Sequence, residues 1–256
     1  MPRLPFADWQ GQVVRLTVFP SPDATTRSAE WWQAVTDDQP DETTMNPKKG
    51  SGQIQGAFGE GKLILKLEPD RIDWLLAPED REVVEQTPGE FPTLGPATET
   101  VNTFSAIAEK WLAQDDLPAI ARIAFGAVLL HPEEDRRAGY LRLPDYVPVQ
   151  VNPESSDFLY QINLPPVASE TGIEGLHLNR LSKWSVAAFQ SFAFKVSASG
   201  VTGQRTDPQV VALRLELDIN TVPAFAGPFP RARLVDVYRE LVAAGRAIAT
   251  DGVVAE

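Results

Sequence analysis

The chain has 256 residues, no cysteine, and 35 Asp and Glu against 23 Lys and Arg, giving a formal charge of −12. The missing cysteine excludes disulfides, thiolate zinc sites, iron–sulfur clusters and a cysteine nucleophile in one step. The length suits one large domain or two small ones, and 43% hydrophobic content is ordinary for a globular chain that folds without staples.

The basic residues are scattered and the pI is about 4.7, which argues against a general nucleic-acid binder but leaves room for one local basic groove. The first residues carry no apolar h-region, and no apolar run approaches the length that spans a bilayer, so the expectation is a cytoplasmic protein with no membrane partner.

In chain order, residues 12–19 alternate and are rich in β-branched side chains, which reads as a strand closed by Pro20 and Pro22. Residues 28–35 form a short helix candidate, with Ser28 as its cap and Trp31, Trp32 and Val35 on one face. Residues 36–52 are polar and read as a long loop. Three strands follow at 53–58, 62–68 and 71–77, joined by turns at Gly59-Glu60-Gly61 and Pro69-Asp70 into an antiparallel meander. Residues 78–96 are an acidic, proline-rich connection. Val101, Phe104, Ile107, Ala108, Trp111 and Leu112 then recur at helical spacing within 98–114.

After Pro118, residues 121–130 are apolar on both faces, as expected of a central strand. A short helix is expected within 136–146. Strands are expected at 156–164, 175–181, 183–196 and 209–220, with 201–208 as the turn before the last. Leu234, Val237, Tyr238, Leu241, Val242 and Ile248 mark a final amphipathic helix.

The fold class is α+β: antiparallel sheet packed by two long helices, because the strands come in runs and not in βαβ alternation. The order strand, short helix, meander, long helix reads twice. Residues 62–74 loosely echo 175–184, each with alternating leucines, then a basic residue, then a tryptophan that starts a new strand. This suggests duplication into halves 1–117 and 118–256 of one compact unit.

Several motifs carry little chemistry. Gly56 to Lys62 fits the start of a P-loop, but Leu63 stands where the Mg²⁺-holding hydroxyl should be, and a strand follows where a helix is required. His131 and His177 are the only histidines. His131 sits beside Glu133, Glu134 and Asp135, which read as a solvated turn more readily than as a metal site. There is no Gly-x-Ser-x-Gly elbow. The pairs Asp70/Asp73 and Glu216/Asp218 read as polar strand faces. No cofactor, metal or catalytic residue is called for. The candidate ligand- or partner-binding residues are Tyr160, Asn163, Asn179, Arg180 and Trp184, where aromatics, amides and a base gather on neighbouring strands.

The segment from Leu65 to Trp74, the helix 104–112, the strand 122–130, Phe158 to Asn163, the strand 213–219 and the terminal helix together resemble a sporadically distributed family of bacterial hypothetical proteins of about this length. The resemblance is diffuse and spans most of the chain. It implies no activity, cofactor or catalytic residue. The family's patchy distribution implies a mobile-element or phage-defence context.

The leading expectation is a non-enzymatic protein-interaction module, with a bacterial defence or toxin–immunity system as its setting and a protein partner or a second copy of itself as what it binds. The alternative is a small-ligand pocket between a curved sheet and its helices, lined by Tyr160, Trp184 and Phe192. A third is an enzyme of unrecognised type using His131 or Glu216/Asp218.

Overall fold

The computed structural model describes residues 3–21, 29–79, 91–189, 192–197, 200–205, 210–225 and 227–253. Within them the chain is α+β, with four α-helices and one antiparallel sheet of nine strands. The strands are β1 (Gln10–Pro20), β2 (Glu42–Asn46), β3 (Ser51–Phe58), β4 (Gly61–Glu68), β5 (Arg71–Pro78), β6 (Ile120–Glu133), β7 (Leu159–Ala168), β8 (His177–Phe189), β9 (Phe192–Ser197), β10 (Gly200–Arg205) and β11 (Val210–Thr221). The large sheet has the order β2-β3-β4-β5-β1-β6-β11-β8-β7, and β9 and β10 form a separate hairpin. The helices are α1 (Ala29–Thr36), α2 (Ala97–Leu112), α3 (Arg136–Arg142) and α4 (Leu234–Asp251).

The period-2 alternation decides which face each strand buries. Leu63, Leu65 and Leu67 of β4, Leu213, Leu215, Leu217 and Ile219 of β11, and Val14, Leu16 and Val18 of β1 all turn to one side and are buried there. The helices lie on that side. Gly11 of β1 sits so close to Thr100 of α2 that a Cβ would come within 2.8 Å of its methyl group. Tyr238 of α4 meets the ring of Phe125 of β6 edge-on at 6.2 Å.

All six tryptophans are buried. Trp31 and Trp32 of α1, Trp74 of β5 and Trp111 of α2 form a run of ring contacts over the first half of the sheet. Trp9, Trp184 and Tyr146 form a second group, with Tyr146 stacked on Trp184 at 4.9 Å and Trp9 edge-on to both. Such rings supply both buried area and orientation. At the end of α4, Gly252 has φ 73°, and a Cβ there would lie 2.5 Å from Tyr146 O, so both its conformation and its space require glycine.

Several boundaries differ from the sequence reading. The expected loop 36–52 contains β2, which pairs with β3 although every one of its residues is exposed. It lacks any hydrophobic alternation that would announce it. Ser182 does not separate two strands: it is fully buried inside the continuous β8, and Trp184 lies in mid-strand. Trp74, by contrast, follows a turn, so 62–74 and 175–184 are not structurally equivalent. Residues 201–205 are strand β10 and not a turn. β6 runs on through Glu133, so His131 and Glu133 are strand residues and not a solvated turn. The glycines at 59 and 61 serve the β3–β4 hairpin. Ser28, the expected helix cap, and most of the 78–96 connection lie outside the described residues.

Candidate functional site: the helix-free face of the sheet

The side chains that alternate with the core residues form the other face of the sheet. The registers place them in rows that cross the central strands. One row runs Leu75, Arg15, Gly126, Asp218, Leu181, Asn163. Beside it on one flank run Asp73, Thr17, Ala124, Asn220 and Asn179, and on the other Val13, Val128, Glu216, Lys183 and Gln161.

Most polar groups in these rows are tied to one another. Asp73 is only 7% exposed. It accepts from Thr17 Oγ1 at 2.5 Å and from Arg71 Nη2 at 2.9 Å. Asn220 Oδ1 accepts from Arg122 Nη2 at 2.9 Å and from Asn179 Nδ2 at 3.2 Å, and Asn220 Nδ2 donates to Asp218 Oδ1 at 3.0 Å. Arg122 also covers the Phe19 ring at 5.0 Å. Glu216 is paired with Arg214 and lies 3.6 Å from Lys183 Nζ. A buried or half-buried polar group needs such partners, and the result is a surface whose side chains are held in place before anything binds.

Arg15 stands apart. It projects from the centre of the sheet, and its guanidinium lies against Gly126 of the next strand: a Cβ on that glycine would be 3.3 Å from both Nε and Nη2. Its Nε is shielded from solvent and has no hydrogen-bond partner. Among the arginines whose side chains are described, Arg15 alone makes no hydrogen bond and no ion pair.

Around it opens a cleft of about 290 Å³, lined among others by Val13, Val128, Lys183, Glu216 and Asp218. A smaller recess of about 90 Å³ shares Arg15 and Asp218 and reaches Thr17, Arg71 and Arg122.

The five residues singled out from the sequence do not converge. Trp184 is fully buried against Tyr146 and Trp9, and its Nε1 donates to Ser182 Oγ at 3.2 Å. Tyr160 lies directly opposite it on β7 and packs against the same core. The space between sheet and helices is therefore filled with rings at this point, and the Phe192 side chain lies outside the described ones. Arg180 Nη2 donates to Pro165 O at 3.1 Å, and its backbone N donates to Asn163 Oδ1 at 3.2 Å, near the β7 edge. Only Asn179 joins the polar network, through Asn220. Arg15, Gly126 and Lys183 were not singled out. The signal for Arg15 was present: it is the one charged residue in the apolar alternation of β1.

A second charged cluster sits on the helix side. Glu133 accepts from Arg142 of α3 and from His131 Nδ1, the latter at 3.0 Å, and its side chain is 5% exposed. Burial works to raise the carboxyl pKa, but the His131 and Arg142 hydrogen bonds outweigh it, so the net shift is below the ordinary value. His131 also faces Trp9 edge-on at 6.3 Å. The cluster pins α3 to the end of β6. Among the described residues no group of three or more His, Asp or Glu is arranged to hold a metal ion. No described helix is long and apolar enough to cross a membrane.

Comparison with family models, curated proteins and solved structures gave no match.

Proposed function

We propose that this protein is a non-enzymatic interaction module whose working surface is the helix-free face of its sheet, and that its partner is a protein with an acidic patch. One observation carries this reading. The chain as a whole is at −12, yet strands β5, β1, β6, β11 and β8 present Arg15, Arg71, Arg122, Lys183 and Arg214 on this face against only Asp73, Glu216 and Asp218. Local positive charge on an acidic molecule favours one docking orientation and repels others. The interleaved carboxylates speak against a polyanion such as nucleic acid, which rewards uninterrupted cations. The β7 edge of the sheet is less suited to pairing: Pro165 and Pro166 interrupt its register, and proline offers no N–H to a neighbouring strand.

We also propose that halves 1–117 and 118–256 descend from one ancestral unit. In support, β1 and β6 adjoin at the centre, each is followed by a short helix, and β5 and β11 flank them on opposite sides.

The test is co-purification of tagged chain from its native cells. A stoichiometric protein should be captured by the unaltered chain and lost with Lys66→Glu/Lys183→Glu; Lys66 of β4 stands opposite Asp73 on the same face. It should be retained with Arg246→Glu, on α4. Absence of any such protein, or capture indifferent to the double change, would contradict the reading.

A further inference from the structure

We propose that the cleft over Gly126 is a binding site for a single carboxylate, supplied by an Asp or Glu side chain of the partner, with Arg15 as the group that grips it. This rests on reading the helix-free face as the interaction surface and names the chemistry at its centre.

Three observations carry it. First, Arg15 is a guanidinium without a partner, on a face where the neighbouring cations Arg71, Arg122 and Arg214 are each held by a hydrogen bond or ion pair. A guanidinium presents parallel N–H donors matched to the two oxygens of a carboxylate, and among the described residues no group of the chain accepts from the Arg15 guanidinium. Second, Gly126 leaves room for the guanidinium beside it. Any side chain there would meet Nε and Nη2 first.

Third, the charged residues lining the cleft are Arg15 and Lys183 against Glu216 and Asp218. Glu216 is already paired with Lys183 and with Arg214 outside the cleft, and Asp218 accepts from Asn220, which leaves Arg15, among the described residues, as the one lining cation without an acceptor. A phosphate dianion would bring twice the charge of a carboxylate against Asp218 and Glu216.

The experiment is an NMR titration of the full chain, following the Arg15 Nε–H resonance and the Gly126 amide. The probes are N-acetyl-aspartate N-methylamide, its glutamate and asparagine counterparts, and inorganic phosphate. Both resonances should shift saturably with the two acidic probes, with a Kd in about the millimolar range, as befits one side chain taken alone. The asparagine probe should produce no saturable shift and phosphate should bind more weakly. Arg15→Gln should weaken the acidic probes by at least about tenfold, the usual scale of a lost charge-assisted contact. Gly126→Ala should weaken them less, since the guanidinium need move only slightly to clear the new Cβ, and Arg15→Lys should fold normally while binding less well.

Equal shifts with asparagine, tighter binding of phosphate, or unchanged affinity in correctly folded Arg15→Gln would overturn the proposal. If a partner is captured through this face but the acidic probes leave Arg15 undisturbed, the carboxylate site falls and the module stands. If the probes bind and no partner is captured, the site stands and the partner reading falls.

Discussion

Replacing Glu133 with glutamine tests whether a charge, and not merely a side chain of that shape, holds α3 against the sheet. The carboxylate accepts from Arg142 and from His131, and the three side chains are 5%, 15% and 18% exposed respectively. An exposed pair of this kind would be worth at most about 1 kcal/mol, and a fully buried one broken on one side costs about 3–5 kcal/mol. Glutamine keeps the shape and one acceptor oxygen. Each of two charge-assisted bonds then falls from about 1.5–3 to about 0.5–1.5 kcal/mol, a loss of about 2 kcal/mol in all.

For a chain of this size that corresponds to about 4–8 °C in Tm. The pH dependence has a definite sign. Because the folded-state carboxyl pKa is depressed, its stabilisation is fully present above the ordinary Glu value and is lost as pH falls through the lower folded value. Urea unfolding of both proteins at pH 7 and at about pH 3.5 keeps clear of the pI near 4.7, where low net charge promotes association. The gap between the proteins should be about 2 kcal/mol at pH 7 and should be smaller at about pH 3.5. A gap of equal size at both values would refute the electrostatic account.

Other outcomes follow from the packing. Trp184→Ala should cost about 3–5 kcal/mol in urea unfolding, since the ring is fully enclosed by Tyr146 and Trp9. Gly245→Ala sets two effects against each other. Helix propensity gains at most about 1 kcal/mol, while the new Cβ would stand 2.9 Å from Phe125 Cε1, and overpacking costs about 1–3 kcal/mol. Net destabilisation is expected, relieved by adding Phe125→Leu. Burial raises the pKa of the Tyr140, Tyr146 and Tyr238 phenols, so stability should fall as pH rises above about 10, and Tyr238 should ionise only when the chain unfolds, as seen by ultraviolet absorbance.

The faces of the strands were legible in the sequence. The leucines of β4 and β11 alternate as their burial does, and the doubly apolar run 121–130 lies in the central strand β6. The neighbours of those strands were not legible. Periodicity says which way a side chain points, while pairing partners are fixed by packing across the whole sheet. Arg15, Gly126 and Asp218 lie on one row only because β1 pairs with β6 and β6 with β11, contacts that each span more than a third of the chain. For the same reason the Asn179–Trp184 segment looked like one cluster, although its alternate residues face opposite sides of the sheet. The exposed strand β2 carried no signal at all, since its pairing is made by backbone groups.

The central claim is that the helix-free face is where this protein meets its partner. Covalent surface footprinting of the chain alone and in its captured complex tests that directly. Labelling should fall at Phe19, Val128 and Leu181 on that face and stay constant at Leu141 on α3. Protection confined to the helical side, or to Met45 and Leu159 at the sheet edges, would contradict it.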